Sequence, residues 1–97
     1  MNWITLRTPA ERARGLQFMK SIPANTVWVF LEVPPGCQFH SRNVPEPFEL
    51  YFMGPDDQVL QASVVHPPKE TRIAPPRTSY ALEARPGTLG KSPARGS

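Results

Sequence analysis

The chain has 97 residues, a length that accommodates one small folded domain. Its 13 prolines argue against a helical bundle, because an interior proline breaks a helix, and its single cysteine excludes an internal disulfide. The net charge of +3 comes from the C-terminus, since residues 1–83 carry eight basic and eight acidic side chains, whereas residues 84–97 carry three basic ones and no acid. We therefore expect no basic face that would bind nucleic acid specifically.

The first predicted elements are a strand and a short helix. Residues 2–6 alternate in polarity, as a half-buried strand does. Thr8, Pro9 and Glu11 then provide an N-cap, a proline in the first turn and an acid that can reach back to the cap. This pattern predicts a helix of about two to three turns that ends within residues 15–18. It also makes Glu11 a capping partner rather than a catalytic acid.

Strands follow along the rest of the domain. Residues 26–33 are β-branched, aromatic and almost continuously apolar, which indicates a buried strand. A short ordered stretch is expected at 39–44, and an antiparallel hairpin is expected from residues 48–53 and 59–65. The last strand is expected at 78–84.

These elements predict a mainly β (α+β) fold. We expect a small open β-barrel or β-roll of about five to six short antiparallel strands with one short N-terminal helix. Residues 1–85 would form this single compact domain. Residues 86–97 would form a basic arm, because their Pro, Gly and Ser content cannot build a core.

The sequence shows no signal for a membrane or for secretion. No apolar run reaches the length of about 18 residues that a transmembrane helix needs. The N-terminus also lacks the basic and apolar regions of a secretory signal. We therefore expect a cytoplasmic or virion-associated protein that does not act at a membrane.

Four motifs in a fixed order resemble those of the domain of unknown function 192 family, a group of small uncharacterised β-barrel-like domains. They are TPAERARGLQFM at 8–19, VWVF at 27–30, FHSRNVPEPFEL at 39–50, and LEA at 82–84 with Gly87 after it. The chain departs from the family pattern at residues 40–41, where His-Ser replaces Trp-Met, and at Val44 and Glu49, where the family has Thr and Asp. A family ligand site that used those side chains would be altered here.

The family usually continues after the glycine into a further strand, whose Ile-x-x-Gly-Asp pattern this chain lacks. The resemblance therefore implies an exposed sheet edge, which can pair with another chain. Our first functional expectation is a non-enzymatic assembly or interaction module, such as a small decoration protein of a phage capsid, that uses this edge and the C-terminal arm. A protein partner or self-assembly follows from it.

The interface candidates come from one strand and from the arm. Alternation places Tyr51 and Met53 on the same face of their strand, and aromatic and Met side chains are frequent at interface cores. The same alternation would equally suit a second buried face. Arg85, Lys91 and Arg95 supply the charge of the arm.

The alternative expectation is a small-ligand-binding domain with a pocket around residues 39–50. The pocket candidates are Phe39, Arg42, Asn43 and Glu49, which lie in the third motif. An asparagine can hold loop backbone, and an arginine can bind a carboxylate or a phosphate. The identity of the ligand is left open.

We expect no catalytic centre, metal site or cofactor. Cys37 and His40 could act as nucleophile and base, but no helix N-terminus is predicted beside Cys37 to lower the pKa of its thiol. Together with His66 and Glu49 they lack the close spacing of metal ligands. The acids at 56–57 lie in a turn of ordinary composition.

Overall fold

The structure is a computed structural model of the chain, and it describes residues 1–89. Seven strands and one helix follow each other along these residues. In chain order they are β1 (Asn2–Leu6), α1 (Pro9–Arg14), β2 (Thr26–Phe30), β3 (Gln38–His40), β4 (Phe48–Met53), β5 (Val59–Val65), β6 (Thr71–Ile73) and β7 (Tyr80–Ala84).

Five of the strands form one mixed sheet in the order β1-β2-β7-β4-β5, and β3 pairs with β6 in a second, two-stranded sheet. β1 runs parallel to β2, whereas every other pair is antiparallel. β1 and β5 are the outer strands of the larger sheet, which is therefore open within the described part of the chain. The prediction of a small, open, mainly β fold with one short helix is confirmed.

Two details of that prediction differ from the structure. The strands number seven, because β6 lies between the predicted hairpin and the predicted last strand, where no strand was expected. Its three residues pair with the equally short β3, and such a distant partner leaves no periodic signal in the sequence. The β1–β2 pair is parallel because residues 7–25, which include α1, form the crossover connection that a parallel pair needs.

Side chains alternate between two buried faces of the larger sheet. One face, which we call the α1 face, includes Phe30, Leu50 and Phe52, and Leu16 just after α1 packs against it. The opposite face includes Val27, Tyr51, Met53, Leu82 and Ala84, with Leu89 packed against it. Both faces of the central strands are therefore withdrawn from water, as a nearly continuous apolar strand requires.

The helix begins as its sequence predicts and is shorter than expected. Glu11 N donates to the Thr8 hydroxyl at 3.1 Å, and Thr8 N donates to the Glu11 carboxylate at 3.0 Å, which completes a capping box. The backbone hydrogen bonds from Thr8 and from Arg7 hold the pKa of Glu11 below its ordinary value. Gly15, at φ 50°, ends the helix at a position where a Cβ atom would come within 3.2 Å of the Phe30 ring. Within residues 1–89 no helix has the length and apolar character that crossing a membrane would require.

Candidate functional site

A cavity of about 240 Å³ lies between α1 and the larger sheet. Residues 12–17 form its roof, residues 32–33 and 37–40 with Val44 form its wall, and the floor comes from three strands. The floor residues are Phe30 of β2, Phe48 of β4 and Glu83 of β7. We call this space the Glu83 cavity, because Glu83 is the acid on its floor.

Glu83 occupies the middle of the sheet. Its neighbours across the central strand β7 are Trp28 on one side and Leu50 on the other. The side chain is only 4% exposed. Burial raises the pKa of Glu83 to about 8, because a charged carboxylate loses its hydration there. The group is therefore mostly a neutral acid at pH 7.

The Glu83 carboxyl group has no hydrogen-bond or ion-pair partner among the described residues. Every fully enclosed polar side-chain atom in residues 1–89 does have a partner. The Glu83 oxygens are therefore not sealed inside protein but border the cavity that the residue lines. A buried polar group without a partner is costly, so a molecule in the cavity that bonds to Glu83 would relieve that cost.

The roof and the wall of the cavity also carry basic and acidic side chains. Arg12 and Arg14 come from α1, and Glu32 and His40 come from the wall. The Arg12 Nη1 group donates to the Arg7 carbonyl at 2.8 Å, which ties this guanidinium back to the chain. The His40 ring is held as well, since its Nδ1 atom accepts from the Arg42 backbone at 3.3 Å.

The structure brings one of the four predicted pocket residues to the cavity. Phe39 lines it and makes edge-to-face contacts with Phe30 and Phe52, at centroid distances of 5.3 and 5.4 Å. Asn43 lies beside the cavity and supports it, because its carbonyl accepts from Phe18 N at 2.8 Å while its side chain reaches Gln17. Asn43 adopts a φ of 61°, a conformation that asparagine tolerates well.

Arg42 and Glu49 do not line the cavity. The Arg42 side chain is exposed. Glu49 points to the face opposite α1, because it alternates with Phe48 and Leu50 along β4. Its carboxylate accepts hydrogen bonds from the backbone of Gly87, at 3.1 Å, and of Leu89. Glu49 therefore fastens residues 86–89 to the sheet instead of binding a ligand in the predicted pocket.

The predicted interface residues fall into three groups. Tyr51 and Met53 are buried in the second face of the sheet, so the pair does not form an exposed patch. Arg85 is exposed. Lys91 and Arg95 lie outside the described residues.

The residues considered for catalysis or metal binding occupy separate places. Cys37 and His40 both line the cavity, but no hydrogen bond joins their side chains. Asp57 accepts a 2.6 Å hydrogen bond from the Tyr80 hydroxyl, which ties the hairpin turn to β7. In the described part of the chain, no three His, Cys, Asp or Glu side chains are grouped so that they could hold a metal ion.

Glu83 is the site residue that the sequence reasoning missed. A signal for it was present, because it is the single acid in the strand YALEA and shares a face with Ala81. An acid at that position of a buried strand has to enter the core. Such an acid is rare without a partner and marks a candidate site.

The chain was compared with known families and with solved structures. The family model for domain of unknown function 192, described as an uncharacterised ACR, matches residues 3–94. A crystal structure of a protein of unknown function from Novosphingobium aromaticivorans DSM 12444 aligns with a TM-score of 0.78 and 28% identity, over 92% of this chain and 66% of that chain. This chain thus spans just under two thirds of that neighbour's length.

A second solved structure has the same fold at lower identity. It is a protein from Sinorhizobium meliloti 1021, named as a candidate transcription regulator, with a TM-score of 0.74 and 18% identity. The alignment covers 92% of this chain and 71% of that chain. At this identity the likeness concerns the fold alone. The comparison with curated proteins gave no match.

Proposed function

Since the chain belongs to the domain of unknown function 192 family, as its four motifs predict, we propose that its domain binds a small, largely apolar molecule in the Glu83 cavity. One observation carries the proposal. A deeply buried carboxyl group without a partner among the described residues borders an aromatic-lined cavity. This proposal develops the alternative expectation from the sequence, with the pocket centred on Glu83 rather than on Arg42 and Glu49.

The cavity has the size and lining of a site for a small ligand. Such sites are mostly apolar and contain a few polar groups that fix the orientation of the ligand. Phe30, Phe39 and Phe48 provide apolar wall and floor, and Glu83 provides the polar group. A cavity of about 150 Å³ holds a benzene molecule, so by proportion this one suits roughly ten non-hydrogen atoms.

Titration with a neutral aromatic alcohol, 2-phenylethanol, tests this proposal directly. In ¹H–¹⁵N NMR spectra we expect saturable shifts confined to the amides of residues 12–17 and 37–40, which surround the cavity. Cys37 offers a second readout, because it is the only cysteine of the chain and lines the same space. Occupancy should slow its reaction with a thiol reagent.

A pair of matched variants separates cavity binding from binding at the surface. Val44→Phe places a larger side chain in the cavity wall and should abolish the saturable shifts. Val64→Phe makes the same change at an exposed position of β5 and should leave them intact. Thermal unfolding is the check that both variants are folded. Shifts that never saturate, or that survive Val44→Phe, would contradict the proposal.

A second function, assembly through the outer strand β1, is supported by a different observation. Trp3 is 59% exposed and Ile4 is 42% exposed on a strand that has one unpaired edge in the described chain. An unpaired edge with exposed apolar side chains can add a strand from another chain. Self-assembly or a protein partner is the proposal here, and the narrower expectation of a capsid decoration protein stays a prediction.

Light scattering after size exclusion, over a wide range of protein concentration, tests self-assembly. We expect a multimer that Trp3→Lys dissociates and that Val64→Lys, on the opposite outer strand, does not. Deletion of residues 90–97 tests the arm without disturbing the contacts of Gly87 and Leu89 with Glu49. A 10.8 kDa monomer at every concentration would exclude self-assembly.

A further inference from the structure

We propose that the Glu83 cavity takes an organic amine, in which an apolar group of about the size of a phenyl ring carries a primary ammonium that pairs with the Glu83 carboxylate. The inference rests on the proposed small-molecule function and names the ligand class for the same site. It follows from three features of the cavity: Glu83 has no described donor, aromatic rings line the space, and the other charged lining residues include both acids and bases.

The floor lacks hydrogen-bond donors for Glu83. No described residue donates to its carboxyl group. A primary ammonium carries three N–H donors and no acceptor, so it can bond to both carboxylate oxygens. It also supplies the opposite charge that a buried carboxylate needs, which a neutral alcohol or amide does not.

The walls suit a cation with an apolar body. The cavity is lined by the rings of Phe30, Phe39 and Phe48. Aromatic rings attract an ammonium through their quadrupole and pack against the hydrocarbon part of the same molecule. A buried amine is therefore stabilised by its surroundings as well as by Glu83.

The other charged residues of the cavity do not reverse its preference for an ammonium group. The titratable and charged residues that share the cavity with Glu83 are Arg12, Arg14, Glu32, Cys37 and His40. Arg14 is exposed to water, which weakens its field, and Arg12 is tied to the Arg7 carbonyl. Glu32 offsets part of their charge. Burial is the cause of the raised pKa of Glu83.

Binding of an amine has a signature that binding of a neutral ligand lacks. With a pKa of about 8, roughly nine tenths of Glu83 is protonated at pH 7. An ammonium that pairs with the ionised form must displace this proton into the buffer. Close to one proton should therefore be released per amine bound at pH 7, and amine affinity should rise about ninefold from pH 6 to pH 7 and about fivefold from pH 7 to pH 8.

Isothermal titration calorimetry of the full chain with three matched probes provides the test. The probes are 2-phenylethylamine, 2-phenylethanol and phenylacetate, which share the phenyl group and are similar in size. At pH 7 we expect the amine to bind about tenfold or more tightly than the alcohol, in keeping with a charge-assisted hydrogen bond. Buffers of different ionisation enthalpy measure the released proton.

Glu83→Gln is the decisive variant, because the amide keeps the shape and neutrality of the protonated acid. It should remove both the preference for the amine and the proton release, while the alcohol still binds. Asp56→Asn is the control, since it removes one acid from the exposed hairpin turn and should leave both effects unchanged. The proton release of the unmodified chain is informative even if Glu83→Gln fails to fold.

The outcomes separate the amine inference from the proposed function. If the alcohol or phenylacetate binds as tightly as the amine and protects Cys37, the cavity is a ligand site and the amine inference is wrong. Amine binding without proton release, or with full affinity in Glu83→Gln, also overturns the inference. If none of the three probes binds or protects Cys37, the amine inference and the small-molecule proposal fail together.

Discussion

Ser41 and Glu70 are joined by three hydrogen bonds between two segments that lie far apart in the sequence. Ser41 N and the Ser41 hydroxyl both donate to the Glu70 carbonyl, at 3.1 and 2.9 Å, and Glu70 N donates back to the hydroxyl at 3.1 Å. Ser41 is completely buried. This contact extends the β3–β6 pair beyond His40, whose side chain lines the Glu83 cavity. Ser41 is one of the two residues that replace the Trp-Met pair of the family.

Ser41→Ala should lower the free energy of unfolding by about 1 kcal/mol, because it removes the two hydrogen bonds of the Ser41 hydroxyl with the half-buried Glu70 backbone. Urea denaturation monitored by Trp fluorescence measures the change. Ser21→Ala removes a hydroxyl from an exposed loop position and should change stability by less than about 0.5 kcal/mol. Equal effects of the two variants would mean that the Ser41 hydroxyl has no special role.

Glu49→Gln should loosen residues 86–89. The carboxylate of Glu49 accepts from two backbone N–H groups, and an amide side chain offers one oxygen acceptor and one mismatched donor in its place. Hydrogen exchange followed by NMR should show faster exchange of the Gly87 and Leu89 amides. Asp56→Asn serves as the charge-matched control and should leave those two rates unchanged. Unaltered exchange in Glu49→Gln would show that other contacts hold this segment.

Glu83 should make the stability of the protein fall as pH rises. Its pKa is about 8 in the folded chain, against an ordinary value of 4.5 that applies after unfolding. Between those values the folded state binds the extra proton, so the free energy of unfolding decreases with increasing pH, by up to about 1.4 kcal/mol per pH unit. The contribution is fully present below pH 4.5 and is lost as pH passes through 8.

Urea denaturation of the unmodified chain and of Glu83→Gln at several pH values between 5 and 9 isolates this effect. The titrations that the two proteins share cancel in the difference between them. The free energy of unfolding of Glu83→Gln minus that of the unmodified chain should increase by several kcal/mol between pH 5 and pH 9. Parallel pH profiles would show that Glu83 ionises normally in the folded state.

Asp57→Asn should lower the pKa of the Tyr80 hydroxyl. That pKa is raised to about 12, first by burial and then by the hydrogen bond and the charge of Asp57. Removal of the carboxylate abolishes the repulsion of the phenolate, so ionisation should occur at lower pH. NMR titration of the Tyr80 ring carbon that bears the hydroxyl measures the shift. Asp56→Asn, one residue earlier in the same turn, should have a much smaller effect.

The family and most of the fold were predictable from local sequence patterns. The capping box at Thr8 and Glu11 involves residues three apart, and the hairpin of β4 and β5 involves neighbouring strands. Such signals depend on residues that are close together in the sequence, so they can be recognised without knowledge of the fold. β6 and the parallel pairing of β1 were not predictable in this way, because each depends on a partner that is distant in sequence.

The sequence by itself determined the short helix, the order and most of the strands, and the family to which they belong, because hydrophobic periodicity and turn residues act over short distances. Only the tertiary structure decided what the buried acids do. Alternation along β4 turns Glu49 toward Gly87, and the central position of β7 places Glu83 beneath a cavity. Two acids in apolar strands look alike in sequence. Glu49 accepts hydrogen bonds from backbone N–H groups, whereas Glu83 accepts none from the described residues, because the two side chains lie on opposite faces of the sheet.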